Sequence, residues 1–195
     1  MIKKSLRGIS VALVLCMLFC DIVPFARAEG EAAQPSTYVP TFQNTYVNTG
    51  NQMEDLFGVA QTQLGYEEGN NNDTKYGTWY GMPYSSWCCL FVVWCARQAE
   101  IPTSIIPQTA SISDIRSKRP YYSGAEYTPK PGDLFMSINK GHIGIVWKVE
   151  GDYVYTLEGN TNPDESARGY GVMSNKRLIE KFLLDRKSTR LNSSH

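Results

Sequence analysis

The stretch Ser85-Ser-Trp-Cys-Cys-Leu-Phe-Val-Val-Trp-Cys95 decides the fold of this chain, because it places three cysteines in a run of large apolar residues. The run predicts a helix over residues 87–99 that is apolar on nearly every side, and such a helix is buried inside a domain. A serine, at position 85 or 86, is the candidate N-terminal cap. We therefore expect a buried central helix with Cys88 in its first turn.

The spacing of the three cysteines argues against the two usual roles of clustered thiols. On a helix, Cys88 and Cys95 lie ~10 Å apart along the axis, whereas a disulfide tolerates a Cα separation of ~7 Å at most. The same spacing prevents the thiolates from converging on one zinc ion. Buried small apolar side chains are the favoured interpretation for Cys89 and Cys95. Cys88 is the candidate nucleophile, because a helix N-terminus stabilises a thiolate.

A catalytic thiolate needs a base, and the chain contains two histidines. His195 lies in the tail 185–195, which we interpret below as non-native, so His142 is the candidate base. A lone histidine is more often structural than catalytic. His142, however, lies between glycines in Gly141-His-Ile-Gly-Ile-Val146, where it has no evident core to fill.

Glu158 and Asn160 are the candidates for the polar group that orients the imidazole. Residues 142–158 predict a hairpin of two strands, and its turn decides which side chains meet. A three-residue loop, or an equivalent bulge, pairs His142 with Asn160 and Gly144 with Glu158 on one face. A regular two-residue turn without a bulge would turn His142 to the opposite face. The catalytic hypothesis therefore requires the odd-length loop or a bulge.

Around this hairpin the chain predicts helices first and antiparallel strands second, which is an α+β order. Met53 to Leu64 predict an amphipathic helix of about 13 residues that stops at Gly65. A shorter helix is predicted over residues 111–118. After Pro131-Gly-Asp133 the pattern becomes extended, with strands predicted over residues 134–138, 142–149, 153–158 and 178–184.

Both ends of the chain differ in character from the domain between them. Residues 1–28 have the basic start, apolar run and small-residue ending of a secretory signal peptide, and the apolar run is shorter than the ~20 residues of a membrane span. Residues 29–51 predict a flexible polar lead-in, and residues 52–184 predict the folded domain. Residues 185–195 look like the translation of a sequencing adapter. We therefore expect a secreted protein with no stable membrane anchor after signal cleavage.

The balance of charge argues against a nucleic-acid partner. The chain has 19 basic and 19 acidic residues, and residues 29–184 keep 12 basic against 17 acidic, a net charge of −5. A nucleic-acid-binding domain would carry a basic face. The sequence does not indicate an oligomeric state.

Four separated motifs resemble one known family in their order and spacing. W-C-C-L-F-V-V-W-C, P-G-D-L-F, G-H-I-G-I-V and L-E-G-N-T together resemble the CHAP domain, the cysteine, histidine-dependent amidohydrolase/peptidase family. The resemblance covers residues 54–184, and the first motif is also similar to NlpC-type cell-wall peptidases with a papain-like core. It implies an α+β fold in which N-terminal helices, with the catalytic cysteine at the start of a buried one, pack on an antiparallel β-sheet.

The resemblance also implies roles for the candidate residues. Cys88 would be the nucleophile, His142 the base, and Glu158 with Asn160 the orienting pair. Cys89 stands where such domains usually carry a small residue such as alanine, and the spacing to the following Phe-Val pair favours Cys88.

Peptidoglycan is the substrate that the resemblance implies. The protein would be a secreted, cell-wall-associated N-acetylmuramoyl-L-alanine amidase or peptide-bridge endopeptidase that works by cysteine acyl transfer. No cofactor is implied. Some CHAP domains bind calcium through an acidic loop before the cysteine, but this chain has only Asp73 among asparagines there, so no metal is expected. The alternative is a catalytically silent cell-wall binding or adhesion protein that retains the fold.

Overall fold

The structure, a computed structural model, describes residues 46–118, 121–124, 126–137, 141–163 and 168–185. The predictions made for residues 1–28, for most of 29–51 and for 186–195 lie outside this part of the chain. Within it, no helix has the length and apolar character that crossing a membrane requires.

Helices precede the sheet along the chain, as the sequence predicted. The described helices are α1 (Gln52–Gln61), α2 (Lys75–Tyr80), α3 (Cys88–Gln98) and α4 (Ile112–Lys118), with 3-10 turns at Asn70–Asn72 and Ile179–Lys181. The described strands are β1 (Tyr121–Ser123), β2 (Leu134–Ser137), β3 (Ile143–Glu150), β4 (Tyr153–Thr161), β5 (Gly171–Leu178) and β6 (Phe182–Asp185). They form one antiparallel sheet in the order β1-β6-β2-β3-β4-β5. The predicted α+β class is confirmed.

Some elements differ from the prediction for identifiable reasons. α1 ends at Gln61, and Leu64, which the helical pattern had included, is 45 % exposed in the turn that follows. α2 was not predicted, because a single short turn of helix leaves little periodicity. β5 was also missed, since its outer positions are polar and its apolar residues are few.

α3 forms the centre of the core, as its composition predicted. Every residue from Cys88 to Ala96 is buried. Tyr76 stacks on Trp87 with ring centroids 5.4 Å apart and meets the edge of the Phe91 ring at the same distance. Each large apolar side chain buried in this way contributes about 1.5–3 kcal/mol.

The sheet approaches α3 most closely at Gly159 of β4. A Cβ at this position would lie 2.5 Å from Cβ of Phe91 and 2.7 Å from the indole ring of Trp87. Because these neighbours are fully buried, the helix would have to move to admit a side chain. The glycine in the L-E-G-N-T motif therefore sets the distance between the helix and the strand.

Ordered contacts extend upstream of residue 52. Tyr46 donates a hydrogen bond to the carbonyl oxygen of Gln98 at 2.7 Å and packs against the core. Asn51 caps α1 by accepting hydrogen bonds from the backbone N–H groups of Met53 and Glu54. The folded part of the chain thus includes the end of the segment predicted as a lead-in.

The β3–β4 hairpin contains the bulge that the catalytic hypothesis required. Its turn has two residues, Gly151 and Asp152, with Glu150 paired to Tyr153. The register then shifts between Val146 and Lys148, so that Trp147, which lies between them, is not paired with a residue of β4 in the backbone ladder. A two-residue turn alone would direct His142 to the opposite face of the hairpin. The extra residue at the bulge returns His142 to the face that carries Glu158.

Candidate active site

Beyond the bulge, the hairpin places a glycine beside a carboxylate. Ile145 pairs with Leu157, and the next step along the ladder brings Gly144 opposite Glu158. A Cβ on residue 144 would lie 2.4 Å from the Phe135 ring and 2.8 Å from Cγ of Glu158. Glycine is required here because the Glu158 side chain occupies that space.

His142 meets Glu158 at the start of β3, as the register predicted. Its Nε2 atom lies 2.8 Å from Oε2 of Glu158. The backbone of His142 is held as well, since its carbonyl oxygen accepts a hydrogen bond from the N–H of Ser137 at 2.9 Å. Glu158 is fully buried, whereas the His142 side chain is 17 % exposed. The imidazole is therefore oriented from its buried side and open on the other.

Cys88 lies in the first turn of α3, beside the loop that carries the imidazole. Its thiol donates to the carbonyl oxygen of Gly141 at 3.9 Å, next to His142, whose pKa it helps to raise. Since Nε2 is held by Glu158, Nδ1 is the ring nitrogen left for Cys88. The structure thus brings a thiol, an imidazole and a carboxylate into one line, which is the arrangement of an activated nucleophile.

The electrostatic surroundings of His142 and Glu158 favour the charged form of both side chains. Burial by itself lowers the pKa of His142, but the hydrogen bonds and charges of Cys88 and Glu158 outweigh it and raise the pKa to about 9. Burial also raises the pKa of Glu158, yet His142 and Arg177 lower it to about 2. At neutral pH the site therefore contains an imidazolium and a carboxylate.

We expect these two groups to limit stability at both ends of the pH range. The pKa of Glu158 falls from 4.5 to about 2 on folding, so its stabilisation is complete above pH 4.5 and is lost as the pH falls towards 2. The pKa of His142 rises from 6.5 to about 9, so its stabilisation is complete below pH 6.5 and is lost as the pH rises towards 9. Urea unfolding followed by circular dichroism should give the largest free energy of unfolding between these windows. A His142→Asn variant should lose the decline above pH 6.5, and a decline of unchanged size in that variant would contradict the assignment.

The other two cysteines of α3 lie in settings that keep them protonated. Cys89 is 2 % exposed and donates to the carbonyl oxygen of Thr109 at 3.3 Å. Burial, followed by the charges of Cys88 and Asp114, raises the pKa of its thiol to about 12. Burial also raises the pKa of Cys95 well above its usual value. The three cysteines in the described part of the chain are free thiols, and only Cys88 among these three has a base beside it.

The hydrogen bonds that the structure gives Asn160 go to groups other than His142, so its predicted role in orienting the ring beside Glu158 stays a prediction. Asn160 sits where the β4–β5 register shifts, with a left-handed φ of 55°. A bulge re-aims a side chain, and the Asn160 amide lies 3.0 Å from the hydroxyl of Ser86. In the amide orientation that satisfies both ends, its oxygen also accepts from the N–H of Trp87 at 3.2 Å and its nitrogen donates to Gly169. Asn160 therefore holds the segment that leads into α3.

The start of α3 also differs from the prediction. Trp87 is the N-cap residue and makes no capping hydrogen bond with its side chain, and Ser86 bonds to Asn160 instead. The first intrahelical bond runs from the N–H of Phe91 to the carbonyl oxygen of Trp87. The N–H groups of residues 88–90 precede it and have no acceptor within the helix. They are donors of the kind that stabilise an oxyanion next to a nucleophile.

Arg177, which was not among the predicted site residues, contacts the carboxylate of Glu158. Its Nε and Nη2 atoms lie 2.5 Å from Oε1 and Oε2, respectively. The hydroxyl groups of Thr156 and Thr161 also donate to this carboxylate. No local signal could have found Arg177, because it lies 19 residues from Glu158 on a strand that was not predicted.

Asp73, the only acidic residue in the region where some CHAP domains bind calcium, lies next to a 3-10 turn. Its backbone N–H donates to Asn70, and its carbonyl oxygen accepts from Gly69. Among the residues that the structure describes, no group of three or more His, Cys, Asp or Glu side chains is placed to hold a metal ion.

A cysteine at the start of a buried helix, facing a histidine and a carboxylate supplied by an antiparallel sheet, defines the class of papain-like cysteine hydrolase folds. The family model of the CHAP domain matches residues 77–160, which include Cys88, His142 and Glu158. Residues 77–160 are therefore a CHAP domain. Domains of this family are usually hydrolases of the amidase or peptidase type, generally in the context of peptidoglycan.

Comparison with individual proteins adds little to the family assignment. No curated protein matches the chain. The crystal structure of Ly7917 is similar at 15 % identity with a TM-score of 0.41, over 70 % of this chain and 62 % of that one. The chain thus spans 62 % of the length of that protein.

Proposed function

We propose that the protein is a secreted peptidoglycan hydrolase that cleaves an amide bond by acyl transfer to Cys88. The observation that carries the proposal is the His142–Glu158 contact at 2.8 Å beside Cys88, whose thiol lies 3.9 Å from the carbonyl oxygen of the preceding Gly141. The signal-peptide pattern of residues 1–28 and the family's general link to peptidoglycan support the secreted, cell-wall setting. This chemistry would serve an N-acetylmuramoyl-L-alanine amidase and a peptide-bridge endopeptidase equally, since both break an amide bond.

The geometry supports a two-step mechanism. The Cys88 thiolate attacks the amide carbonyl carbon, and the first-turn N–H groups of α3 stabilise the oxyanion. The C–N bond breaks as the His142 imidazolium donates its proton to the leaving amine, which leaves a thioester on Cys88. His142, now neutral, takes a proton from water, and the hydroxide attacks the thioester. Release of the carboxylic acid restores the thiolate and the imidazolium.

The experiment that tests the proposal is digestion of purified peptidoglycan by the protein. Soluble muropeptides and new amine groups should appear, and the masses of the products identify the bond that is cut. Heat-denatured protein provides the background. If the folded protein releases nothing, the hydrolase proposal fails, and binding of the protein to the same peptidoglycan in a pull-down would support the silent wall-binding alternative.

A further inference from the structure

Glu158 is the most enclosed charged group of the candidate site, and its surroundings define how it can act. Its side chain is 0 % exposed, so water cannot stabilise its charge. His142 uses only one side of the carboxylate, through Oε2. The rest of the stabilisation must come from other protein groups, because an unpaired buried carboxylate takes up a proton.

Arg177 supplies the charged part of that stabilisation from β5, and the hydroxyl groups of Thr156 and Thr161 add hydrogen bonds. The Arg177 side chain is 7 % exposed, and its guanidinium meets both carboxylate oxygens of Glu158 in a forked geometry. Bidentate pairs of this kind hold a carboxylate in one orientation as well as one charge state. The Arg177 guanidinium also lies 5.5 Å from the centre of the Phe135 ring, which limits its movement. The pair is a fixed unit of the sheet.

We infer that Arg177 is a positioning residue of the proposed hydrolase: by holding both oxygens of Glu158, it keeps that residue an ionised, fixed partner for His142. The inference rests on the proposed function, because only a working thiolate–imidazolium pair needs such a partner. Arg177 acts through Glu158 and then through His142, and it does not need to touch the substrate.

The guanidinium of Arg177 affects Cys88 through the total charge of the four neighbouring groups in the site. The charged groups that bond to Glu158 are His142, from the start of β3, and Arg177, from β5, and Cys88 of α3 follows beyond the imidazole. With the thiolate, imidazolium, carboxylate and guanidinium in place, the four groups sum to zero. Without the guanidinium, the line carries a net charge of −1 in a buried setting.

A buried line with one uncompensated negative charge takes up a proton. If Cys88 takes it, the nucleophile is lost directly. If Glu158 takes it, His142 loses its counter-charge, and the imidazolium that stabilises the thiolate becomes less favourable. Both routes weaken the thiolate–imidazolium pair. Loss of the guanidinium should therefore lower the alkylation rate of Cys88 by either route.

The test is the pH dependence of Cys88 alkylation by iodoacetamide, measured by mass spectrometry on the full chain. Alkylation requires no peptidoglycan, so it reports on Arg177 even if the proposed substrate is wrong. In Arg177→Gln we expect the inflection of the profile to move upward by about one pH unit or more, so that the rate at any pH below the original inflection falls about tenfold or more. Arg116→Gln is the matched control, because Arg116 is an exposed residue of α4, and its profile should equal that of the unmodified chain.

Arg177→Lys separates charge from geometry and covers the case in which the glutamine variant does not fold. Lysine keeps the charge but cannot hold both oxygens, so the inflection should stay in place while the limiting alkylation rate falls several-fold. A role in stability alone would lower the melting temperature of either variant and leave rate and profile unchanged. A folded Arg177→Gln variant with the original profile, or an Arg177→Lys variant with the original rate, would overturn the inference.

Discussion

Replacing Cys88 by alanine should lower the rate of peptidoglycan hydrolysis by a factor on the order of 10⁵, while the protein remains folded. Loss of the nucleophile removes the covalent route entirely, and what remains comes from binding and from the oxyanion donors of α3. The fold should tolerate the change, because alanine is a good helix former and the removed sulfur is small. The rate of muropeptide release and the circular dichroism spectrum measure the two halves of the prediction.

Cys89→Ala is the matched control, because it makes the same chemical change one residue further along the same helix. Cys89 contacts Thr109 rather than His142, and burial keeps it protonated. Its replacement should change the rate of hydrolysis by less than a few-fold and should slightly lower the melting temperature. If Cys89→Ala abolished hydrolysis and Cys88→Ala did not, the assignment of the nucleophile would be reversed.

Replacing Glu158 by glutamine should lower the free energy of unfolding by about 3–5 kcal/mol at pH 6. Glutamine keeps the shape of the side chain but removes its charge, which leaves the buried guanidinium of Arg177 and the imidazolium of His142 without a counter-charge. Breaking one side of a buried ion pair is costly for this reason, even where the intact pair contributes little. Urea unfolding at pH 6 measures the loss.

A second glutamate on the same hairpin provides the comparison for this change. Glu150 at the turn end of β3 is exposed and bonds to Lys148 and Tyr155. Glu150→Gln should leave the urea midpoint almost unchanged, since exposed pairs contribute little. Glu158→Gln should also weaken the fall in stability above pH 6.5, because the raised pKa of His142 depends in part on the carboxylate. Equal midpoints for the two variants would contradict the charge assignment.

Much of the site followed from sequence because it depends on local chemistry. The apolar run after Trp87 is long enough to predict a buried helix, and helical geometry alone argues against disulfides between its cysteines. His142 was found by elimination, since the other histidine lies in the terminal tail. Strand parity then placed Glu158 and Asn160 on the same face as His142, and the structure brings Glu158 within 2.8 Å of the imidazole.

The tertiary structure decided the parts that depend on distant segments of the chain. The alternation of side chains along the strands required either an odd-length loop or a bulge, and it did not distinguish between them. In the structure the turn has two residues, and the extra residue lies at the bulge before Lys148. Asn160 had the right parity to face His142, but the second register shift between β4 and β5 turned it towards Ser86.

The sequence by itself determined the nucleophile, the base and the central helix as predictions, because each depends on residue type and on spacing within one element. The position of Arg177 was decided only when β5 paired with β4, since a polar edge strand carries little periodic signal and its partner lies far away in sequence. The charge state of the site follows from that pairing, because the ionisation of a buried carboxylate is set by the groups that surround it in space.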